Sequence, residues 1–527
     1  MNPLSGTFAL LRVVYVLARE GVISALPADG LPPSAVLAHR ASRLIARPSA
    51  GGRARSERLS RALNRLGPSY VKLGQFLATR PDLVGQEIAR ELEMLQDKVP
   101  PFSRKEAIHE LETSLGRTVG DLFIEFGDVV GAASIAQVHR ARCLLPDGSE
   151  RDVAVKVIRP GVRNRFWRDL QLFYFAAHRL ERWVPGMRRL RPVAIVDTLA
   201  QSTKIEMDLR LEAAAYSEMA ANTADDPGFR LPKVDWERTG RSVLTMDWVQ
   251  GIKLNNVAAV AAAGHDMKAL AINIVQSFLR HSMRDGFFHA DMHPGNLFVA
   301  PDGAIVAVDL GIVGRLDRKH RQFLAEILYG FIRRDYRRVA EVHFEAGYVP
   351  RKHDVASFAQ AIRAIGEPIH GQSAETISMA HLLTLLFEVT ELFDMETQPE
   401  LILLQKTMVV VEGVSRSYDP QFNMWEAAEP VVADYIARQL GPAAKLRDAR
   451  DDLEALWRIF RTLPEAASGL EVLTRNLADL VENGIHLNDD TLKSLATEKR
   501  ASVISGRIAQ WVIALSLVAI AGSLLFG

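Results

Sequence analysis

The sequence predicts an α+β chain of two lobes, preceded by a basic helical extension and closed by an apolar transmembrane helix. Three observations carry that expectation. Runs rich in β-branched and aromatic residues crowd between Phe123 and Val157, helical spacing of apolar residues dominates from Leu316 to about Ile504, and Ile508 to Phe526 contains no charge. The divisions expected are 1–118 for the extension, 119–250 for a first lobe with inserted helices, 251–480 for a helical second lobe, 481–507 for a linker and 508–526 for the last helix. A chain of 527 residues, 48% hydrophobic and 24% charged, can bury a large core and is neither disordered nor fibrous. Its net charge of +1 implies no global field for nucleic acid, so no nucleic-acid partner is expected. One cysteine, Cys143, excludes an internal disulfide, suits a cytosolic compartment and reads as a small buried apolar residue on a strand.

Taken in order, the segment before Lys72 holds ten arginines, no lysine and only Glu20, Asp29 and Glu57 as acids. Its apolar run Phe8 to Ala18 is broken by Arg12, too short for a membrane span, and lacks the small-residue cleavage pattern of a secretory signal. A surface helix on an anionic leaflet, an Arg-rich face packed on the body and an organelle transit peptide all fit that composition. Phe123 to Val129 and Gln137 to Leu144 read as strands, Pro146-Asp147-Gly148 as a turn, and Val153-Ala154-Val155-Lys156-Val157 as a third, alternating strand. The next long helix should carry Lys204 to Glu212, and Leu244 to Gly251 reads as a strand followed by a turn. His320 to Arg333 and Leu382 to Phe393 space their apolar residues for helices. No Cys or His cluster has zinc spacing. The final run of nineteen residues would reach roughly 28 Å at 1.5 Å per residue, close to the hydrocarbon thickness of a bilayer. Ser516, Gly522 and Ser523 would let this single span pack on another. Lys499, Arg500 and Arg507 precede it, which places the body in the cytoplasm.

The chemistry sits between these elements. His289-Ala290-Asp291-Met292-His293-Pro294-Gly295-Asn296 is followed, eighteen positions after Asp291, by Asp309-Leu310-Gly311. Phosphoryl transfer on Mg-ATP needs one carboxylate near the attacking oxygen, with an Asn and a second Asp to hold the metal. Asp291, Asn296 and Asp309 keep the spacing of those groups in protein kinases, and Lys156 stands where the phosphate-binding lysine of a kinase-like strand belongs. Either short motif alone would be an ordinary Asx turn; in this order they predict a protein-kinase-like bilobal fold. Asp247 to Val249 would present backbone groups to adenine from the hinge between lobes. The loop expected over the phosphates, Gly131-Ala132-Ala133-Ser134-Ile135-Ala136-Gln137-Val138, is unusual because methyl groups replace most of the glycines that such a loop carries. Each Cβ restricts positive-φ backbone, so ordinary kinase loop geometry should be altered. His289 reads as a prop for the catalytic loop rather than as a metal ligand with His293.

With these motifs in place the chain resembles the UbiB-like atypical kinases, which support ubiquinone biosynthesis. The resemblance rests on Lys72-Leu73-Gly74-Gln75, the alanine-rich loop through His139, the strand ending in Lys156, Glu206-Met207-Asp208 with Glu212 beyond it, the Asp291 segment and Asp309-Leu310-Gly311. Met292 stands where many members have proline, and Gly131 where others have alanine. The resemblance implies ATP and Mg2+ as cofactors, Asp291 and Lys156 as catalytic residues, Asn296 and Asp309 as metal ligands, and Glu212 as the partner of Lys156. It also implies that the segment of Lys72 and Gln75 folds across the face where a peptide substrate would lie, with Lys72 paired to Glu206 and Asp208 beside it. Partners so implied are the lipid bilayer, prenylated phenol or quinone intermediates and other ubiquinone-biosynthesis enzymes, at the bacterial inner membrane. An ATPase or small-molecule kinase is favoured over a protein kinase, with a nucleotide-binding pseudokinase scaffold for the ubiquinone enzymes, or a true phosphotransferase on a protein or prenylated small molecule, as the alternatives. No dinucleotide loop or iron constellation supports a direct hydroxylase.

Overall fold

Alternation builds the first lobe. Strands β1 (Glu125–Ala132), β2 (Ala136–Leu144) and β3 (Glu150–Ile158) form an antiparallel meander, and β5 (Val243–Asp247) pairs with β3 at its far side. The turn from β2 to β3 follows its residues: Gly148 takes φ +82°, and the Asp147 carboxylate accepts from the Ser149 amide at 2.9 Å. Successive side chains of a strand point to opposite faces. Val153, Val155 and Val157 are therefore buried on one face with Phe126, Ala141, Cys143 and Leu111, which belongs to a helix at Arg104–Leu115. Lys156 lies on the other face, opposite Val138 on β2 and Leu244 on β5; Ala154 lies opposite Arg140 and Met246.

In the computed structural model the described residues are 3–25, 42–47, 55–78, 88, 91–92, 100–183, 191–371, 385, 389, 392–395 and 399–439. The chain divides into a unit of Arg12–Arg438 and a unit of Met1–Leu11 with Gln439–Gly527; the second is described almost only by the start of a helix, α1 (Pro3–Arg19). Within the first unit, α2 (Arg55–Leu66) and α3 (Pro68–Ala78) meet at Gly67, whose φ of +116° a side chain would not accept. A Cβ there would also stand 2.2 Å from the Arg165 guanidinium, which donates to the Leu66 carbonyl at 3.0 Å and closes α2. The helix Arg104–Leu115 is α4. After β3 come α5 (Val162–Trp183), α6 (Pro192–Glu206) and α7 (Leu209–Asn222).

The second lobe opens with short strands β4 (Phe229–Arg230) and β6 (Ile252–Lys253) and the helix α8 (Met267–Arg280), which runs into one π-helical turn at His281–Asp285. Then β7 (Phe287–His289) pairs with β10 (Val313–Arg315), while β8 (Leu297–Val299) and β9 (Ile305–Ala307) complete a sheet of order β4-β9-β8-β6. Helices α9 (Arg318–Arg333), α10 (Tyr336–Glu345), α11 (Val355–Gly371), α12 (Pro399–Tyr418) and α13 (Met424–Gln439) follow. Phe278, Phe288, Leu297, Ile305, Val411 and Val432 share one buried core there.

The helix expected over His320 to Arg333 lies inside α9, whereas most of Leu382 to Phe393 falls outside the described residues, as do Ile508 to Phe526. Among the described residues no helix is long and apolar enough to cross a membrane. Cys143 is fully buried.

Candidate functional site

Lys156 is the centre of the site. Its ammonium donates to both carboxylate oxygens of Glu212, at 2.8 and 3.0 Å, and to Asp309 at 2.9 Å. Burial opposes the charge on Lys156, but the Asp309 and Glu212 carboxylates outweigh it and hold its pKa well above the ordinary lysine value. Glu212 is pushed up to about 7, first by burial, against the pull of Lys156. Asp309 is held below the usual carboxylate range, chiefly by the lysine. Two carboxylates around one ammonium leave a net negative site, and a bound cation would relieve it.

Glu212 does not sit on the first long helix after the lysine strand, where a partner is expected. That helix is α5; Glu212 comes two helices later, on α7. The Glu206-Met207-Asp208 segment is also not one helix. Glu206 ends α6, and Asp208, with extended backbone, caps α7 by accepting from the Arg210 amide at 3.2 Å. Asp208 is thus a structural cap, its pKa lowered mainly by hydrogen bonding to the Arg210 side chain. The break puts Glu206 and Glu212 on different helices. Glu206 pairs with Lys72 of α3, both largely buried, and Glu212 with Lys156. Gln75 lies one turn on from Lys72 and is half-buried.

The loop from Asp291 to Asn296, expected to be catalytic, is closed locally. The Asn296 amide group donates to the Asp291 carboxylate at 3.0 Å and to its carbonyl at 3.1 Å, which leaves the Asn296 side-chain oxygen for a cation. His289 is buried, and its Nδ1 accepts from the Asp291 amide at 3.2 Å; burial lowers its pKa and keeps it neutral. His293 is exposed and caps its own turn through Gly295. Asp309 adopts φ +64°, a left-handed conformation that costs a side-chain-bearing residue free energy and marks a held position.

The alanine-rich loop divides in two. Gly131, Ala132, Ala133 and Val138 keep some exposure, but Ser134, Ile135, Ala136 and Gln137 are buried. Ile135 and Ala136 join the apolar core that contains Tyr70 and Val71 of α3. Neither Gly131 nor any alanine of the loop takes a positive φ. Gln137, expected at the nucleotide, has its side chain on the other face of the sheet, where it exchanges hydrogen bonds with the Phe102 backbone at 3.0 and 3.2 Å. Strand alternation is the reason: Gln137 is one residue from Val138, which shares the face of Lys156. At the hinge the Asp247 and Trp248 amides are spent on Lys233 and Asp152 carbonyls, at 3.0 and 3.1 Å, while the Val249 amide has no partner among the described residues.

Three residues of the site escape sequence reading. Tyr216, fully buried on α7, accepts from the Asp309 amide at 2.6 Å. Arg163 donates to the Met207 carbonyl at 2.6 Å and the Arg241 carbonyl at 3.0 Å, which fixes the turn between α6 and α7. Thr407 on α12 is buried within reach of the Ala290 carbonyl at 3.0 Å and of Leu403 at 2.8 Å. Only Tyr216 had a signal, its position four residues after Glu212 on one helix face.

The geometry agrees with what comparison finds. An ABC1 atypical kinase-like domain matches residues 94–343, and a UbiB helical domain matches residues 362–423. A protein of Marinobacter nauticus named "Probable protein kinase UbiB" is 40% identical over 451 residues, 84% of this chain and 81% of that protein. Proteins of the same name from Aeromonas hydrophila and Cellvibrio japonicus are 40% and 39% identical, over 82% and 89% of this chain and 80% and 85% of theirs. A solved chain described as the complex structure of Rv3197-erythromycin from Mycobacterium tuberculosis is 22% identical, with a TM-score of 0.46 over 74% of this chain and 99% of that one, a likeness too distant to bear on function. Helical domain and kinase-like domain meet where Thr407 reaches the catalytic loop, and the chain belongs to the UbiB family of ABC1-type atypical kinases.

Proposed function

We propose that this chain binds Mg-ATP between its lobes and turns it over as an atypical kinase or ATPase that promotes ubiquinone biosynthesis. One observation carries the reading: Lys156, 153 positions before Asp309 in the chain, is 2.9 Å from it and is held there by Glu212. The donor set fits the nucleotide. The Asp309 side chain is 45% exposed despite its ion pair, so solvent reaches its carboxylate, and the Asn296 side-chain oxygen has no hydrogen-bond partner among the described residues and could meet the same cation. Mg-ATP supplies the phosphoryl group and the cation that offsets its charge. Lys156 holds the phosphate side of the cleft, Asn296 and Asp309 orient the metal, and Asp291 takes the proton of the attacking water or hydroxyl. The Val249 amide and the Asp247 carbonyl receive the base against Ala154 and Met246.

The burial of Ile135 and Ala136 against α3, with the Lys72–Glu206 pair beside it, supports water or a small prenylated phenol as acceptor rather than a peptide. The apolar run Ile508 to Phe526 supports a site of action at the bacterial inner membrane, beside the enzymes that hydroxylate such intermediates. A scaffold that only binds nucleotide would have no chemical need for Asp291 beside Lys156, Asn296 and Asp309. Purified protein in lipid vesicles, assayed for phosphate release from ATP with and without a prenylated phenol, tests the reading. Mg-dependent release that the phenol stimulates is expected; nucleotide binding without any turnover would favour the scaffold.

A further inference from the structure

Asp309 combines two demands that oppose each other. Its carboxylate must face the cleft, and its backbone must hold φ +64°, a region that non-glycine residues enter at a cost. Such a conformation persists only where its surroundings hold it. Gly311 contributes little, since its amide reaches the Asp309 carboxylate only at 3.4 Å. The strong contact is on the backbone: the Asp309 N–H donates to the Tyr216 hydroxyl at 2.6 Å.

Tyr216 is not explained by packing alone. It is among the largest fully buried side chains, and a phenylalanine would fill the same space without burying a hydroxyl, which costs free energy unless the group is hydrogen-bonded. The phenol also stays neutral, because burial and the nearby Glu212 carboxylate push its pKa well above the ordinary value. It lies four residues after Glu212, on the same face of α7. One helix therefore touches the site twice, at the lysine through Glu212 and at the metal-ligand turn through Tyr216.

We infer that Tyr216 is a positioning residue whose phenol oxygen holds the Asp309 peptide in its left-handed turn, so that α7 sets the lysine and the metal ligand together. Removing the hydroxyl would leave a part-buried amide unpaired and free the turn to relax toward ordinary φ, which would swing the carboxylate away from the cation. The role rests on the Mg-ATP reading above.

The test compares full-length wild type, Tyr216→Phe and Tyr418→Phe in lipid. Tyr418 is a buried tyrosine on α12 whose hydroxyl donates to the Leu254 carbonyl at 2.9 Å and not to the metal-ligand turn. Thermal shift is read with ATP across a Mg2+ titration and with ATP in a chelator, and hydrogen exchange is read at the Asp309 amide by residue-resolved mass spectrometry. Tyr216→Phe should raise the Mg2+ concentration for half-saturation roughly tenfold, leave metal-free ATP binding near wild type and speed exchange at Asp309. Tyr418→Phe should do none of these. Unchanged Mg2+ dependence in Tyr216→Phe would overturn the inference while leaving Mg-ATP binding intact. So would a melting temperature that falls together with equal losses of metal-free and metal-dependent binding. Wild type with no Mg-dependent nucleotide binding would remove both readings. If Tyr216→Phe does not fold, wild type decides: an Asp309 amide that exchanges as fast as an unprotected one refutes the hydrogen bond.

Discussion

A single ammonium between two carboxylates makes Lys156 the residue on which the site turns, and its neighbours respond differently to substitution. Asp309→Asn removes the anion that both Lys156 and a cation need, so Mg-dependent stabilisation by ATP should disappear in a thermal-shift titration; wild-type stabilisation would refute the metal assignment. Lys156→Ala should weaken nucleotide binding in the same assay and leaves Glu212 and Asp309 facing each other unpaired. Burial of His343 adds to the acid sensitivity of the fold. His343, packed on Phe358 with its Nδ1 donating to the Val339 carbonyl at 2.7 Å, has its pKa lowered by burial from 6.5 to about 4. The unfolded chain takes up that proton first, so the contribution is complete above pH 6.5 and is lost as pH falls toward 4, amounting to about 3 kcal/mol. Urea denaturation at several pH values should show a shallower acid decline in His343→Asn, whatever its absolute stability; an identical slope would refute the assignment.

At the scale of elements, helix breaks and ends do the positioning. Met207 and Asp208 interrupt what would be one long helix, and Arg163 pins the break. Loss of either partner of the buried Lys72–Glu206 pair leaves an uncompensated charge. Lys72→Ala or Glu206→Ala should loosen α3, change nucleotide preference or unmask autophosphorylation, and fail to support quinone production in a strain lacking the wild-type gene. Phosphate incorporation from labelled ATP beside quinone content decides this, and variants normal in both would make α3 merely a core helix. Helix α12 touches the catalytic loop through Thr407, whose loss as Thr407→Val keeps the shape but leaves the Ala290 carbonyl short of a donor. A destabilisation of about 1 kcal/mol is expected, together with slower ATP turnover; turnover unchanged at equal stability would confine Thr407 to packing.

On the scale of the whole molecule, the cleft and the apolar C-terminal run share no residues. On the proposed anchoring at the membrane, deleting Ile508 to Gly527 should therefore leave the protein in the soluble fraction with nucleotide binding nearly intact. Persistent tight membrane association after the deletion would shift the anchor to the basic N-terminal segment. Each lobe has its own buried core, one around Val153, Val155 and Val157 and another around Phe278, Phe288 and Val411, and a third core, which includes Ile135, Tyr216, Met246, Phe287 and Leu310, joins residues of both lobes beside the site.

What the sequence by itself determined is what short range enforces. The valines flanking Lys156 alternate because a strand buries every second residue, and Asp291 and Asn296 keep their spacing because the asparagine reaches back to the aspartate five positions earlier. Family motifs extended that reading to Glu206, Glu212 and Lys72. Tertiary packing decided the rest. The bond from Tyr216 to Asp309 crosses 93 positions and the one from Thr407 to Ala290 crosses 117, and no periodicity encodes such a distance. Gln137 shows the same limit within a motif: its identity marks the family, but the register of β2 against β3 turned its side chain from the cleft to Phe102. Side-chain direction depends on how strands pair and helices pack, because those choices minimise unsatisfied polar groups and exposed apolar surface over the whole fold, not over the motif.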